Sequence, residues 1–295
     1  MGRLNDLMHE RILTLDGATG TMLADRTGRG CCDLLAVDDA AAVEALHRSY
    51  IDAGADIITT DTFCSDPLTL ASWGLAERCG EIVRAAVRAA RRAADAAGRE
   101  VLVAGSVGPT VRNITLSTDT SEEQLREAYR AVVEPMIGEG ADMILVESVC
   151  DVRNAEIAVE ECRRVRPDID IVVAAVLSKL PGYLVSGRSI ALFAEDLKRI
   201  RPTAAGFNCS WGARSVVDNL ARLAEATDLP LAAWPSAGVP DASGRFPDSA
   251  ATFTAEMERA AREGILNIAG GCCGTTPEHI RSLAAVCRRY KPARV

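Results

Sequence analysis

The stretch ADMILVESVCDVRNAEIAVEECRRV, residues 141–165, holds one complete structural unit. Met143–Val146 is an aliphatic run with the length of a buried strand, Glu147 to Asp151 are polar or small for the most part, and beyond residue 151 apolar side chains recur at helical spacing. The same order returns along the chain. Strands are expected at Ile12–Leu15, Asp56–Thr59, Val101–Ala104, Met143–Val146, Ile171–Ala175, Ala204–Phe207, Leu231–Trp234 and Ile265–Ile268. Helices are expected at about 38–53, 67–97, 121–139, 152–165, 189–200, 212–226, 248–263 and 277–290. Ser121, the first residue of SEEQ, and Thr276-Pro277-Glu278 are helix-start signals: a hydroxyl takes a free N–H, proline tolerates lacking one, and an acid favours the positive end.

Strand–helix repeats argue for a parallel sheet covered by helices, and eight of them in 295 residues favour a closed (β/α)8 barrel, the TIM barrel, over an open doubly wound sheet. The nearest approach to a dinucleotide fingerprint, Asp16-Gly17-Ala18-Thr19-Gly20, lacks the required glycine spacing. No charge block or Pro/Ser-rich linker divides the chain, so a single domain is expected over residues 1–295, with its core at about 10–290.

Composition narrows the partners. A formal charge of −8, without a basic block interleaved with aromatics, argues against nucleic acid. The basic stretch Arg84–Arg99 is broken by alanines at helical spacing and reads as a solvated helix face. There is no apolar run near the roughly 20 residues that span a bilayer, and the start MGRLNDLMHERI lacks the order of a secretory signal. A cytoplasmic protein without a membrane partner is expected, and in that setting its 10 cysteines stay reduced.

In a barrel the C-terminal ends of the strands share one face, where chemistry collects. Asp16, Asp61, Glu147, Asn208, Cys209, Ser236, Cys272 and Cys273 all follow expected strands. Cys272-Cys273 lies in the glycine-rich GGCCGTTP, where a vicinal disulfide, an inert pair of small hydrophobes and a metal site compete. Metal binding fits the loop best, and Cys209 in GFNCSWG is the best-placed third ligand. Three thiolates with one open position describe a catalytic zinc site. Such a site is a weak Lewis acid that still lowers the pKa of an incoming thiol, which suits alkyl transfer to sulfur better than carbonyl hydrolysis.

Among the other cysteines, Cys31-Cys32 is the rival pair, in a long loop beside Asp33. Cys64 and Cys150 lie near strand ends, while Cys79, Cys162 and Cys287 fall in helical patterns as small buried side chains. Asp16 and Glu147 each follow an apolar strand, where a carboxylate needs a cation or hydrogen-bond donors. A substrate ammonium is one such partner; a structural arginine or loop N–H groups are the others. Asp61 shares that position, although an Asx side chain also braces turns. Gly17 and the other loop glycines permit tight turns whose N–H groups face a carboxylate. His9, His47 and His279 fall outside the rim and are expected on helical or terminal surfaces.

The segments LDGATGTML, CCDLL, HRSYIDAGADIITTDTF, GSVGPT, VESVCDVRNAEIAV, GFNCSWG, PSAGVPDASGRF and NIAGGCCGTTPEHI together resemble the homocysteine S-methyltransferase family, in particular the homocysteine-binding module of cobalamin-dependent methionine synthase. The resemblance runs from about residue 10 to 290. It implies a (β/α)8 barrel with zinc on Cys209, Cys272 and Cys273, and homocysteine sulfur as the exchangeable ligand. It also implies that Asp16 and Glu147 hold the substrate ammonium, and that groups near Gly17 and around Ser178 receive its carboxylate. Methionine is the implied product. The methyl group would come from a methylcobalamin-carrying corrinoid protein, since this chain shows no second domain for a corrinoid, or from a small donor such as S-methylmethionine or a betaine. Another small thiol as acceptor, or a non-catalytic redox-sensing barrel, would use the same cysteines differently. The chain departs from the family pattern at Thr19, at Cys32 within CCDLL, at Asp61 where asparagine is usual, in LSKLPGYLVSG, and at Ser236 where asparagine is usual. The change at 61 adds a carboxyl and that at 236 removes an amide donor.

Overall fold

The computed structural model describes residues 2–28 and 30–293. Eight parallel strands alternate with helices: β1 Leu13–Thr14, β2 Ile57–Thr59, β3 Leu102–Val107, β4 Met143–Val149, β5 Asp170–Ala175, β6 Ala204–Cys209, β7 Leu231–Pro235 and β8 Ile268–Ala269. Their order in the sheet is β1-β8-β7-β6-β5-β4-β3-β2. A parallel bridge from Leu15 to Ile57 brings the two edges together, and the Asp16 N–H donates to the Ile57 carbonyl at 3.0 Å. The chain is therefore a (β/α)8 barrel.

Closure depends on side chains small enough for neighbouring strands to meet. At Gly206 on β6, a Cβ would lie 1.7 Å from the Ala232 carbonyl oxygen of β7. Backbone cannot yield as a side-chain tip does, so Gly206→Ala is expected to cost about 3 kcal/mol or more, measured by chemical denaturation.

Inside the staves, Leu13, Leu15, Ile57, Leu102, Met143, Leu145, Val172 and Ile268 form an apolar lumen. Leu4, Leu7 and Met8 join it from α1, Arg3–Glu10, an element the sequence reading left without structure. Their spacing puts all three on one helical face. The Leu4 N–H donates to Asp170 at the start of β5, so α1 closes the barrel at the N-terminal ends of the strands. The opposite mouth stays accessible.

Several elements differ from expectation. The helix expected over 67–97 is divided: Pro67–Leu70 and two single 3-10 turns precede Cys79–Asp95, because Gly74 takes a left-handed φ of 69° after Trp73. The last strand starts at Ile268 rather than 265, since the Asn267 side chain is engaged in accepting from the Leu231 N–H at 2.9 Å. The loop after β1 contains a helix, α2, Gly20–Thr27. His47 is buried in the helix Ala40–Ala53 with neither ring nitrogen bonded, against the expected surface position; burial lowers its pKa to about 4. His279 is also buried, where it completes the helix cap with Thr276 and meets the Asp248 carbonyl through Nε2. The arginines of Cys79–Asp95 do face outward, Arg88 and Arg92 pairing with Glu139 and Glu44. No helix among the described residues is long and apolar enough to cross a membrane.

Candidate functional site

Three sulfurs meet at the C-terminal mouth. Cys209 is the last residue of β6, and Cys272-Cys273 follow β8. Their Sγ atoms lie 3.0 Å (209–272), 3.7 Å (209–273) and 3.9 Å (272–273) apart. Bonds of about 2.3 Å in a tetrahedral zinc site put sulfurs about 3.8 Å from one another. Two separations match that spacing, and the third is shorter. Among the described residues this is the one group of three or more His, Cys, Asp or Glu side chains close enough to share an ion. All ten cysteines are free thiols.

The backbone aims these thiols. Cys209 and Ser210 have φ of 53° and 62°, a left-handed conformation that costs a residue with a Cβ about 1–2 kcal/mol. The turn ends β6 and points the Cys209 thiol across the mouth. Cys272 N–H donates to the Pro235 carbonyl and Ala237 N–H to the Cys273 carbonyl, which ties the vicinal pair to the end of β7. Without an ion, one negative charge is best shared here. Donation from Cys272, Cys273 and Ser236 holds Cys209 far below the ordinary thiol range, while Cys272 is driven up by its hydrogen bonds to the other two and Cys273 rises to about 11. A divalent cation removes that conflict by favouring thiolate at all three.

The sulfurs border a cavity of about 320 Å³. Asp16, Gly17, Asp61 and Glu147 line it, together with Cys32, Cys64, Ser106 and Trp234. Asp16 is 2% exposed and accepts from the Thr59 N–H and Oγ1–H, both at 2.7 Å. Burial pushes its pKa up to about 7, the Thr59 donors oppose that, and the nearby Glu147 charge adds to it. Glu147 accepts from Ser106 Oγ at 2.6 Å and Trp234 Nε1 at 3.0 Å, with Asn208 Nδ2 at 3.3 Å. Its pKa is raised, chiefly by burial. The Asp16 loop is equally constrained: a Cβ on Gly17 would lie 2.7 Å from the Tyr50 ring, and Tyr50 donates to the Ala18 carbonyl. Among the described residues no arginine, lysine or histidine lines the cavity.

The remaining expected positions separate. Asn208 is buried behind the wall, where its side chain accepts from the Ser148 N–H and so links β6 to β4. Ser236 does not line the cavity, but its hydroxyl reaches Cys209 Sγ at 3.6 Å. Ser178 also lies outside the lining, with its hydroxyl engaged by the Leu180 backbone. Of the rival pair, Cys32 reaches the cavity and Cys31 is buried. Cys79, Cys162 and Cys287 are buried within their helices. Thr59, Ser106 and Trp234, the partners of the two carboxylates, were not singled out, although Thr59 and Ser106 fall inside HRSYIDAGADIITTDTF and GSVGPT. Ser106 enters because β3 runs to Val107, three residues beyond the expected strand end at Ala104.

The family profile for homocysteine S-methyltransferase matches residues 13–287. Among solved structures, the oxidized form of the homocysteine methyltransferase MmuM from Escherichia coli is similar at 25% identity, with a TM-score of 0.77 over 93% of this chain and 95% of that one. Its metallated form matches at 25% identity and a TM-score of 0.76, covering 94% of this chain and 96% of the other. A type I 3-dehydroquinate dehydratase from Clostridium difficile, at 10% identity and a TM-score of 0.54 over 95% of this chain and 92% of that one, shares the fold alone.

Proposed function

The chain belongs to the homocysteine S-methyltransferase family, and from that premise we propose that it transfers a methyl group to the thiolate of homocysteine at a zinc ion held by Cys209, Cys272 and Cys273. The observation that carries this reading is the convergence of those three sulfurs on a cavity whose other wall is Asp16 and Glu147. The donor set fits zinc: three thiolates leave one tetrahedral position for a fourth sulfur. Bound there, zinc lowers the pKa of an incoming thiol, so that nucleophilic thiolate is present near neutral pH.

The protein's own groups hold the rest of the amino acid. Asp16 and Glu147 are buried and, among the described residues, face no protein cation across the cavity, so a substrate ammonium supplies the charge their burial calls for. The backbone from Gly17 to Thr21 lines the same cavity and leads into α2, whose first-turn N–H groups favour an anion. We assign the substrate carboxylate to that end. Ser178 takes no part in this assignment. At 2% and 8% exposure, Asp16 and Glu147 leave bulk water little room to compete for the ammonium.

Direct tests are metal content and turnover. Zinc-loaded protein is expected to hold about one zinc per chain and to convert homocysteine to methionine under anaerobic reducing conditions. Absence of bound zinc in reduced protein would sink the reading. Methylcobalamin, a methyl-corrinoid protein, S-methylmethionine and glycine betaine are the donors to compare.

A pH dependence follows from Asp16. The ammonium attracts the ionised carboxylate, so as Asp16 loses its proton near pH 7 it should add to the rise of homocysteine affinity with pH, beyond the rise that thiolate binding itself gives. Asp16→Asn should remove that added part, leaving the part due to the thiol, as well as weaken binding. The measurement is homocysteine KM against pH at saturating zinc; a wild-type profile identical to that of Asp16→Asn would exclude Asp16 as the titrating group.

A further inference from the structure

Successive side chains of a strand face opposite ways, and two strands of this barrel break that rule at the mouth. On β4, Met143 and Leu145 point into the lumen while Ile144 and Val146 face the helices, so Glu147 is in phase with the lumen and Ser148 should turn away. Ser148 instead lines the cavity beside Glu147, with a φ of 54°, and the pairing of β4 with β5 slips between Val146 and Val149. On β6, Ala204 faces the lumen while Ala205 and Phe207 face the helices, a phase that would send Cys209 outward. Its left-handed φ of 53° returns the thiol to the mouth. Ser148, Cys209 and Ser210 are three of the four non-glycine residues with positive φ among the described residues. A residue with a Cβ resists that conformation, which persists only where the surroundings over-determine it.

One side chain holds both breaks. Asn208 is fully buried, and both polar atoms of its amide are engaged. Its Oδ1 accepts from the Ser148 N–H at 2.9 Å, and its Nδ2 donates to the Ser148 hydroxyl at 2.9 Å and to Glu147 Oε2 at 3.3 Å. Its backbone carbonyl accepts from the Ser210 hydroxyl at 2.7 Å, which in turn accepts from the Leu177 N–H at 3.0 Å. Trp234, the register neighbour of Asn208 on β7, donates to the same Glu147 oxygen. Asn208 does not line the cavity, so whatever it contributes there passes through these neighbours. One bond would tie β6 to β4; the amide makes three, all to the two residues at the out-of-phase turn.

We propose that Asn208 is a positioning residue for methyl transfer: it locks the two left-handed strand ends, Glu147-Ser148 and Cys209-Ser210, against each other and so fixes where the ammonium-binding carboxylate stands relative to the metal-binding sulfur. This deepens the homocysteine reading and rests on it. A substrate held by its sulfur at one end and its ammonium at the other binds well only when the two holds are correctly spaced. The lock is complete before substrate arrives, so its benefit appears as affinity for the amino acid. Without it, Ser148 relaxes toward an ordinary strand conformation and carries Glu147 out of place.

The test compares variants of the reduced, zinc-loaded protein by calorimetry with homocysteine and with 2-aminobutyrate, its analogue without the sulfur. 2-Aminobutyrate reports the ammonium end without a bond to the metal. Asn208→Ala should weaken binding of both about tenfold and speed zinc loss to a chelator by a similar factor. Loss of a strand tie alone lowers stability without selecting a partner, and two comparisons separate the roles. Glycine takes a left-handed φ without a clamp, so in a Ser148→Gly background Asn208→Ala should cost no more than about threefold in 2-aminobutyrate affinity. Because the effect passes through Glu147, Asn208→Ala should add no more than about twofold on top of Glu147→Gln. Affinities unchanged in Asn208→Ala would overturn the proposal. So would an effect as large in the Ser148→Gly background as in wild type, or one that multiplies with that of Glu147→Gln. Should Asn208→Ala not fold alone, the double variant with Ser148→Gly is expected to fold and to bind 2-aminobutyrate within about threefold of Ser148→Gly; a tenfold gap there overturns the proposal. Wild type that takes up no zinc or no homocysteine would sink the homocysteine reading and this proposal with it, whereas the ratios among variants overturn the proposal alone.

Discussion

Cys272→Ala protein is expected to lose bound zinc and to transfer methyl groups at least about a thousandfold more slowly than wild type. Cys272 packs against the apolar lumen and touches both partner sulfurs, at 3.0 and 3.9 Å. Its removal leaves two thiolates, too few to hold zinc against water and buffer. Because of that packing, a loss of activity alone would be ambiguous. Linkage separates the causes. A ligand that binds only the folded protein raises its stability, so zinc should raise the melting temperature of wild type and leave that of Cys272→Ala unchanged, while the metal-free proteins melt close together. Full zinc content in Cys272→Ala, by metal analysis after reduction, would remove Cys272 from the site. Cys209→Ala and Cys273→Ala should behave alike, since each supplies one of three ligands.

Glu147→Gln is expected to raise the KM for homocysteine about a hundredfold while zinc stays bound. Two effects act in one direction. The substitution withdraws the charge that faces the substrate ammonium, and it introduces an amide donor where Ser106, Trp234 and Asn208 already direct donors inward. One of those donors loses its acceptor or the side chain turns away. Glu147→Ala strands the Trp234 Nε1–H and the Ser106 hydroxyl outright, which adds about 1–3 kcal/mol of destabilisation. Steady-state kinetics against homocysteine, with metal content measured on the same samples, decides the matter: an unchanged KM in Glu147→Gln would assign the ammonium elsewhere.

The fold was largely legible because its signal is local and repeated. All eight strands lie at or near aliphatic runs such as Met143–Val146 and Ile171–Ala175, whose burial between lumen and helices requires apolar side chains on both faces. The failures have equally local causes. The helix α1 is short, and its apolar face, Leu4, Leu7 and Met8, has meaning only once there is a barrel end to close. Gly74 divides an otherwise periodic segment, and Asn267 delays β8 through a side-chain bond to the neighbouring strand. His47 shows the limit of residue type as a guide, since polarity suggests solvent while helical phase places it inside.

The meeting of the site residues at one mouth was readable from one topological rule. Strand ends of a barrel share a face, so Cys209 and Cys272-Cys273 could be brought together from positions 63 and 64 residues apart. Residue type and loop position alone indicated a thiol-rich metal site, and Asp16 and Glu147 stood out because a carboxyl at the end of an apolar strand needs a partner. Packing had to decide which atoms supply that partner: Thr59 for Asp16, and Ser106, Trp234 and Asn208 for Glu147, all contributed by other staves. Tertiary structure likewise separated Ser178 from the cavity and left Asp61 inside it without a donor. The reason is physical. A strand's own side chains determine whether it is buried, but whether a buried polar group is satisfied depends on what the adjacent strands direct at it, and that pairing exists only when the barrel closes.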